Sequence, residues 1–415
     1  DLDDENLRRL VVNSVFWGLD LDVPAKADVA VKGYNPTFYS FKGYKVGLKP
    51  EDFIPGAPNF AKAPLANAKK EEPKKKPAPK PAPKKPAPKK AESKLPPGVL
   101  VPMEPKAVAF KKTDTPAALK VNQGDHIVLV GSGLGSRMAH YGHFETELFL
   151  RFADKDITVR NMCDEGNTPG FRPHPGRTFD NQFAFPGAKE LVHKRFQTDS
   201  RPQGHFETPD QWLTRLEADT IIAFFGTNSS YDGPGEVDRY KKELDAFLKH
   251  TLSRQYNGKS VPQVALVSPT AVQDLRAKYS VPSPKGLNEN LELYTKASAE
   301  VAAANGVLFA DIFSPSKGWF AATKEEHTID GALLNDAGYR KLAPALANSI
   351  FGKSSPSRAK EADIYAAVQE KNWAWINDFK MPNVVHVFGR RYNPYGPANY
   401  PFEIKKTTEF NVNRD

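Results

Sequence analysis

The sequence predicts a doubly wound α/β domain in the middle of a 415-residue chain, with a parallel sheet of about five strands and helices on both faces. The composition, 40% hydrophobic and 26% charged, is that of a globular protein. Short apolar, β-branched runs recur along the chain, at 126–130, 157–161, 220–225, 263–268 and 307–312. Helical stretches alternate with them, including 236–252, 288–305 and 336–350. Continuous apolar strands separated by helices are typical of a parallel sheet covered on both faces.

Most of the formal net charge of +9 lies in one segment. Residues 69–94 hold eleven Lys and three Glu, a net of +8, which leaves about +1 for the rest of the chain. The main domain is therefore nearly neutral, and we expect no nucleic-acid partner for it, although the cationic segment is able to contact anionic polymers. No apolar run is long enough to cross a bilayer, so we expect no membrane span. The single cysteine, Cys163, excludes an intrachain disulfide.

The charge and proline distribution divides the chain into four predicted segments. Residues 1–60 form a short N-terminal fragment that begins with an amphipathic helix. Residues 61–98 form a Lys/Pro/Ala-rich linker, for which extended polyproline II is expected because proline removes backbone donors and lysines repel one another. Residues 99–352 form the α/β domain. Residues 353–415 supply a C-terminal helix and an extended aromatic arm.

Polar and glycine-rich segments follow the predicted strands, where ligands bind in doubly wound folds. Four of them carry candidate chemistry, at 130–136, 160–168, 225–230 and 327–339. The glycines of the first segment also match part of a phosphate-binding fingerprint. Ser136, however, stands where the third glycine of that fingerprint belongs, so a tight turn is favoured over nucleotide binding.

In this order, the four segments resemble the sequence blocks of the SGNH (GDSL-type) hydrolases, over about residues 105–350. The resemblance implies an SGNH-hydrolase-like, flavodoxin-like fold and an ester-hydrolase ancestry. In that family the first block supplies a nucleophilic serine, the second and third supply oxyanion-hole donors, and the fourth supplies an aspartate and a histidine. By position, Gly166 and Asn228 match the two donors, and Asp330 matches the aspartate.

Two decisive positions depart from the family pattern. Gly133 occupies the nucleophile position, and Leu333 occupies the position of the base. Because a nucleophilic hydroxyl needs an adjacent base, such a site offers little turnover. We therefore expect a degenerate, non-catalytic domain that binds or scaffolds a carbohydrate, an acylated glycan or an envelope component. Its ligand-binding residues would be Gly166, Asn228 and Asp330, around the loop at Ser132.

Two alternatives stay open. The first is an active carbohydrate or acyl esterase with a relocated nucleophile, Ser132 or Ser136, served by His327 and Asp330. Helix capping by the two serines and a loop position for the histidine explain the same residues without catalysis. The second alternative is a structural envelope module whose cleft is filled. We expect no metal site and no cofactor in this chain.

The flanks resemble parts of a larger protein. Residues 7–13, Phe16–Trp17 and 47–50 resemble the end of a trehalose-utilisation-type domain, which has a glutamine-amidotransferase-like fold. The order of the pieces resembles large secreted bacterial multidomain proteins that also carry haem-binding modules, which would make both chain ends internal cut points. The resemblance implies a secreted, periplasmic or cell-envelope location and partners among the parent protein's other domains or envelope proteins. The Cys-x-x-Cys-His haem motif is absent here, so no haem is assigned.

Overall fold

The computed structural model describes residues 102–380 apart from 175, 176, 178, 179, 198–205 and 324, together with residues 9, 12, 13, 16 and 22. The chain divides into two compact units, Asp1–Ala91 and Glu92–Asp415. In the first unit, the described residues of the predicted N-terminal helix are helical, namely Arg9, Val12, Asn13 and Phe16. The predicted linker at 61–98 and the aromatic arm after residue 380 lie outside the described residues.

The second unit contains the predicted parallel sheet. Its strands are, in chain order, β1 (Lys106–Ala107), β2 (His126–Gly131), β3 (Thr158–Asn161), β4 (Thr220–Phe224), β5 (Arg254–Gln255), β6 (Gln263–Val267) and β7 (Leu308–Ala310). Five of them form one sheet in the order β3–β2–β4–β6–β7, and all neighbouring pairs are parallel. The short β1 and β5 pair antiparallel beside it. The predicted α/β fold class is thus confirmed, and the chain reverses its direction of winding between β2 and β4.

Helices alternate with the strands. They are α1 (Gly133–Arg137), α2 (His143–Arg151), α3 (Ala188–Leu191), α4 (Pro209–Arg215), α5 (Thr227–Ser230), α6 (Val237–Thr251), α7 (Lys285–Asn305), α8 (Phe313–Ala322), α9 (Asp336–Phe351) and α10 (Glu361–Phe379). Single 3₁₀ turns lie at Asp180–Gln182, Lys194–Phe196 and Pro234–Glu236. Within the described part of the chain, no helix combines the length and apolar character that crossing a membrane requires.

The apolar strand sequences are buried on both faces of the sheet. Because successive side chains of a strand point to opposite faces, β4 contributes Ile221 and Ala223 to one core cluster and Ile222 and Phe224 to the other. Helices α6 and α7 close the first cluster, and α2 and α9 close the second. This two-sided burial explains why the strands read as continuous apolar runs rather than as alternating ones.

The C-terminal helix α10 is built into the core of the α/β domain. Trp375 and Phe379 belong to the first core cluster and stack on each other with ring centroids 5.4 Å apart. The indole of Trp375 also donates a hydrogen bond to the carbonyl of Asn161 at the end of β3. Lys371 forms a buried ion pair with Glu145 of α2. The helix therefore ties together α2, the end of β3 and the core.

Candidate functional site

The carboxyl ends of β2, β3, β4 and β6 surround a cavity of about 240 Å³. This is the edge at which ligands bind in doubly wound sheets, next to the point where the winding reverses. The residues that line the cavity include Gly133, Glu165, Thr227, Asn228, Tyr231, Thr270, Leu287, Leu291, Asp330 and Leu333. All four polar segments identified in the sequence therefore contribute to one cavity. The segments at 130–136, 225–230 and 327–339 contribute residues that were predicted, and the segment at 160–168 contributes Glu165, which was not.

A tight turn at the end of β2 directs the Ser132 hydroxyl away from the cavity. Gly131 has a φ of +124°, and a Cβ atom there would lie 2.2 Å from the carbonyl oxygen of Phe224, so only glycine fits. The backbone amide and the hydroxyl of Ser132 both donate to that same carbonyl, at 2.9 and 3.1 Å. Ser132 is 1% exposed and is not among the residues that line the cavity.

The carboxylate of Glu165 lies where a side chain at position 133 would project. A Cβ atom built on Gly133 would be 2.7 Å from Glu165 Oε2. The loop after β3 is held there because the Asp164 amide donates to the Gly131 carbonyl at 2.9 Å, and the Glu165 amide donates to Asp164 Oδ1 at 2.9 Å. Glu165 was not among the residues predicted from the sequence, although it directly precedes Gly166, which was.

Ser136 lies in a separate, tightly packed environment. Lys380 Nζ donates to Ser136 Oγ at 2.8 Å and forms an ion pair with Asp164 Oδ1 at 3.2 Å. The gap lined by Ser136, Cys163 and Trp375 has no room for a water molecule. Ser136 is therefore close to an amine, and it is only 4% exposed beside a gap too narrow for a water molecule.

The two predicted oxyanion-hole residues lie near each other, but only one of them lines the cavity. Asn228 lines the cavity, and its Nδ2 donates to the carbonyl of Asn167 at 2.9 Å. An amide nitrogen carries two N–H groups, so this bond occupies one of them. Gly166 is exposed, adopts a left-handed φ of +81° and is not among the lining residues. The structure thus brings Asn228, but not Gly166, to the cavity wall.

The loop before α9 carries Asp330 and Leu333 to the cavity but turns His327 elsewhere. Asp330 Oδ1 accepts hydrogen bonds from the amides of Ala332 and Leu333, at 2.9 and 2.7 Å, so this carboxylate shapes its own loop. His327 is 3% exposed, and its Nε2 lies 3.4 Å from Lys341 Nζ.

Among the described residues, no contact joins His327 to Ser132 or Ser136. His327 is also not among the residues that line the cavity. The esterase alternative with a relocated nucleophile stays a prediction.

Several polar groups of the cavity have unused hydrogen-bonding capacity. Thr270 is only 8% exposed, yet within the described part of the chain its hydroxyl makes no hydrogen bond. The hydroxyl of the partly exposed Thr227 and the carboxylate of the exposed Glu165 also make no hydrogen bond with described residues. Glu165 and Asp330 are acidic, and no described lining residue is basic. The cavity is therefore suited to a ligand that donates hydrogen bonds.

The remaining reactive groups point to no second site. Cys163 is fully buried, and burial raises the pKa of its thiol despite the opposing charges of Lys380 and Arg172. An un-ionised buried thiol is unreactive. Within the described ranges, no group of three or more His, Cys, Asp or Glu residues is arranged to hold a metal ion.

Comparison with characterised sequences does not assign the chain to a family. No family model matches the chain. It is 26% identical over 160 residues to the chloroplastic ornithine carbamoyltransferase of Pisum sativum, a match that covers 39% of this chain and 35% of that enzyme. The chain thus spans about a third of the length of the curated relative it matches. That enzyme's activity does not transfer to this chain.

Solved structures similar to the chain include hydrolases and esterases. One is LAE5, an alpha/beta hydrolase enzyme from the metagenome of Lake Arreo, with 15% identity over 56% of this chain and 98% of that chain, and a TM-score of 0.38. Another is a catalytic mutant of Axe2, an acetylxylan esterase from Geobacillus stearothermophilus, with 14% identity over 57% of this chain and 100% of that chain, and a TM-score of 0.38. The fold class itself rests on the sheet and helices described above.

Proposed function

We propose that the α/β domain is a degenerate SGNH-hydrolase-like domain that binds a carbohydrate or acylated glycan in its 240 Å³ cavity without hydrolysing it. One observation carries the proposal. Gly133 and Leu333, which stand at the family's nucleophile and base positions, both line the cavity, and the Glu165 carboxylate lies against the place of the missing serine side chain.

The neighbouring serines support the proposal because each is committed to another contact. A catalytic serine donates its hydroxyl proton to a base. Ser132 instead donates to the backbone carbonyl of Phe224, and Ser136 accepts from Lys380 beside a gap too narrow for a water molecule. Neither hydroxyl faces a histidine among the described residues.

The open cavity favours binding over a purely structural role. A vestigial site in a structural module would be filled by neighbouring side chains. Here about 240 Å³ remains, and Thr227, Thr270 and Glu165 keep polar atoms without protein partners. The Thr270 hydroxyl faces the cavity wall without a protein partner, so it is free to hydrogen-bond a ligand. Carbohydrates, which carry many hydroxyls, fit that requirement.

Release of p-nitrophenol from p-nitrophenyl acetate tests the absence of turnover. We expect the full chain to hydrolyse the ester no faster than buffer, and Ser132→Ala and Ser136→Ala to leave that rate unchanged. Ser357→Ala, on an exposed loop, is the matched control. Saturable turnover that either of the first two variants abolishes, while the control keeps it, would show an active esterase and name its nucleophile.

A further inference from the structure

We propose that the cavity holds one sugar residue that bears no negative charge, stacked on Tyr231, and that Glu165 and Asp330 exclude acidic sugars. The inference rests on the proposed function and adds the class of ligand. It follows from the size of the cavity, its charge, its free hydrogen-bonding groups and one exposed aromatic ring.

The size of the cavity limits the ligand to a single ring. Its volume of about 240 Å³ lies below the range of about 300–1,000 Å³ for sites that enclose drug-sized ligands. An oligosaccharide can therefore enter with one residue only, and its remaining residues stay outside the cavity.

The charge of the cavity selects against anions. Glu165 and Asp330 line it, and no described lining residue is a lysine, arginine or histidine. The carboxylate of a uronic acid in this space would face two like charges without a compensating cation, which costs free energy at short range. Hydroxyl and ammonium groups, by contrast, can donate to both carboxylates.

The hydroxyls of Thr227 and Thr270 also favour a ligand that carries hydroxyl groups. Both residues line the cavity, and within the described part of the chain neither hydroxyl has a hydrogen-bond partner. Thr270 is only 8% exposed, so its side chain is held in the cavity wall. A hydroxyl can donate and accept at once, which matches the hydroxyls around a sugar ring.

Tyr231 supplies an apolar platform at the same cavity. Its side chain lines the cavity and is 58% exposed, which is unusual for a large aromatic residue. A tyrosine ring offers a rigid contact surface at low entropic cost. The C–H face of a sugar ring is a flat partner for it, while the sugar hydroxyls reach the polar wall.

Titration with three monosaccharide probes tests the inference on the full chain. The probes are the methyl glycosides of glucose, glucosamine and glucuronic acid, and Kd is measured by ligand-detected NMR at physiological salt. We expect the first two to bind and the glucuronide to bind at least about tenfold more weakly. Tyr231→Ala should weaken binding of the first two by about three- to tenfold.

Matched variants separate the cavity from the rest of the surface. Tyr279→Ala removes an exposed tyrosine that does not line the cavity, and we expect it to leave the three Kd values unchanged. Glu165→Gln with Asp330→Asn should bring the glucuronide within about threefold of the glucoside. Glu190 is an exposed acid that does not line the cavity, and we expect Glu190→Gln to leave the difference in Kd between glucuronide and glucoside unchanged. Any binding of glucuronide to the cationic linker is insensitive to all of these changes.

The outcomes distinguish the two proposals. If none of the probes binds saturably, the proposed carbohydrate-binding function fails. If the probes bind with equal affinity, or if Tyr231→Ala and Tyr279→Ala behave alike, carbohydrate binding stands and the inference is overturned. If the glucuronide binds most tightly and its binding depends on Tyr231, the exclusion of acidic sugars is overturned, whereas stacking on Tyr231 stands.

Discussion

Two glycines in one turn, Gly131 and Gly133, have opposite tolerance for a side chain. A Cβ atom at Gly131 would lie 2.2 Å from a backbone oxygen, at a positive φ. At Gly133 the nearest atom is the end of the flexible Glu165 side chain, 2.7 Å away, and the residue lies in a helix. The flexible Glu165 side chain can move away from a new Cβ atom, whereas the Phe224 backbone cannot. The turn therefore requires glycine at position 131 but not at position 133.

Paired substitutions check this difference. We expect Gly131→Ala to lower the free energy of unfolding by about 2–4 kcal/mol, through backbone strain and the clash with Phe224. Gly133→Ala should change it by less than about 1 kcal/mol, because alanine favours the helix while Glu165 moves aside. Urea denaturation followed by circular dichroism measures both. Equal effects of the two variants would mean that the turn is not held as described.

At the residue scale, the sequence indicated four residues of the cavity wall, but not the second acidic residue, Glu165. Gly133, Asn228, Asp330 and Leu333 were indicated by the resemblance of four segments to the SGNH hydrolase sequence blocks, and all four line the cavity at the edge where parallel strands end. The approach of Glu165 to Gly133 depends on a tertiary hydrogen bond between the loop after β3 and the end of β2. A pattern of residue types does not encode such a bond.

At the scale of elements, a buried ion pair fastens α10 to α2. Lys371 and Glu145 are both largely buried, and Lys371 also donates to the carbonyl of Val159 at 3.0 Å. Burial lowers the pKa of Lys371, while the charge of Glu145 opposes that shift. Removing one partner of a buried pair leaves the other charge uncompensated. The pair therefore makes the docking of α10 sensitive to single substitutions.

Substitution of Lys371 tests this contact. We expect Lys371→Met to lower the free energy of unfolding by about 3–5 kcal/mol, and Lys371→Met combined with Glu145→Leu to restore most of it, because an apolar pair leaves no buried charge. Lys360→Met, an exposed lysine next to the start of α10, serves as the control. If both the single and the double variant unfold like the native chain, the helix is not fastened by this pair.

The elements themselves were largely predictable. The strands of the sheet begin and end within two residues of the predicted runs, and the predicted segment 336–350 corresponds to Asp336–Phe351. Long apolar and amphipathic periodicities carry this information directly. The two-residue strands β1 and β5 were not predicted, because a pair so short leaves no periodic pattern in the sequence.

At the scale of the whole molecule, charge and chemistry occupy different segments. The net charge of +9 lies mainly at 69–94, whereas the cavity belongs to the unit Glu92–Asp415 and is acidic. The sequence predicted the fold class of this unit and the edge of the sheet at which the cavity opens. The proposed preference for an uncharged sugar rests on the charges and free hydroxyls of the cavity. These come together only when the separate loops fold next to one another.

Active-site labelling with a fluorophosphonate most directly tests the central claim that this cavity lacks an activated serine. The reagent forms a covalent adduct when an activated serine oxygen displaces its fluoride, and peptide mass spectrometry locates the adduct. We expect no stoichiometric adduct on any serine of the full chain, under conditions that fully label an active serine esterase in parallel. A stoichiometric adduct on Ser132 or Ser136, lost when that residue is changed to alanine, would contradict it.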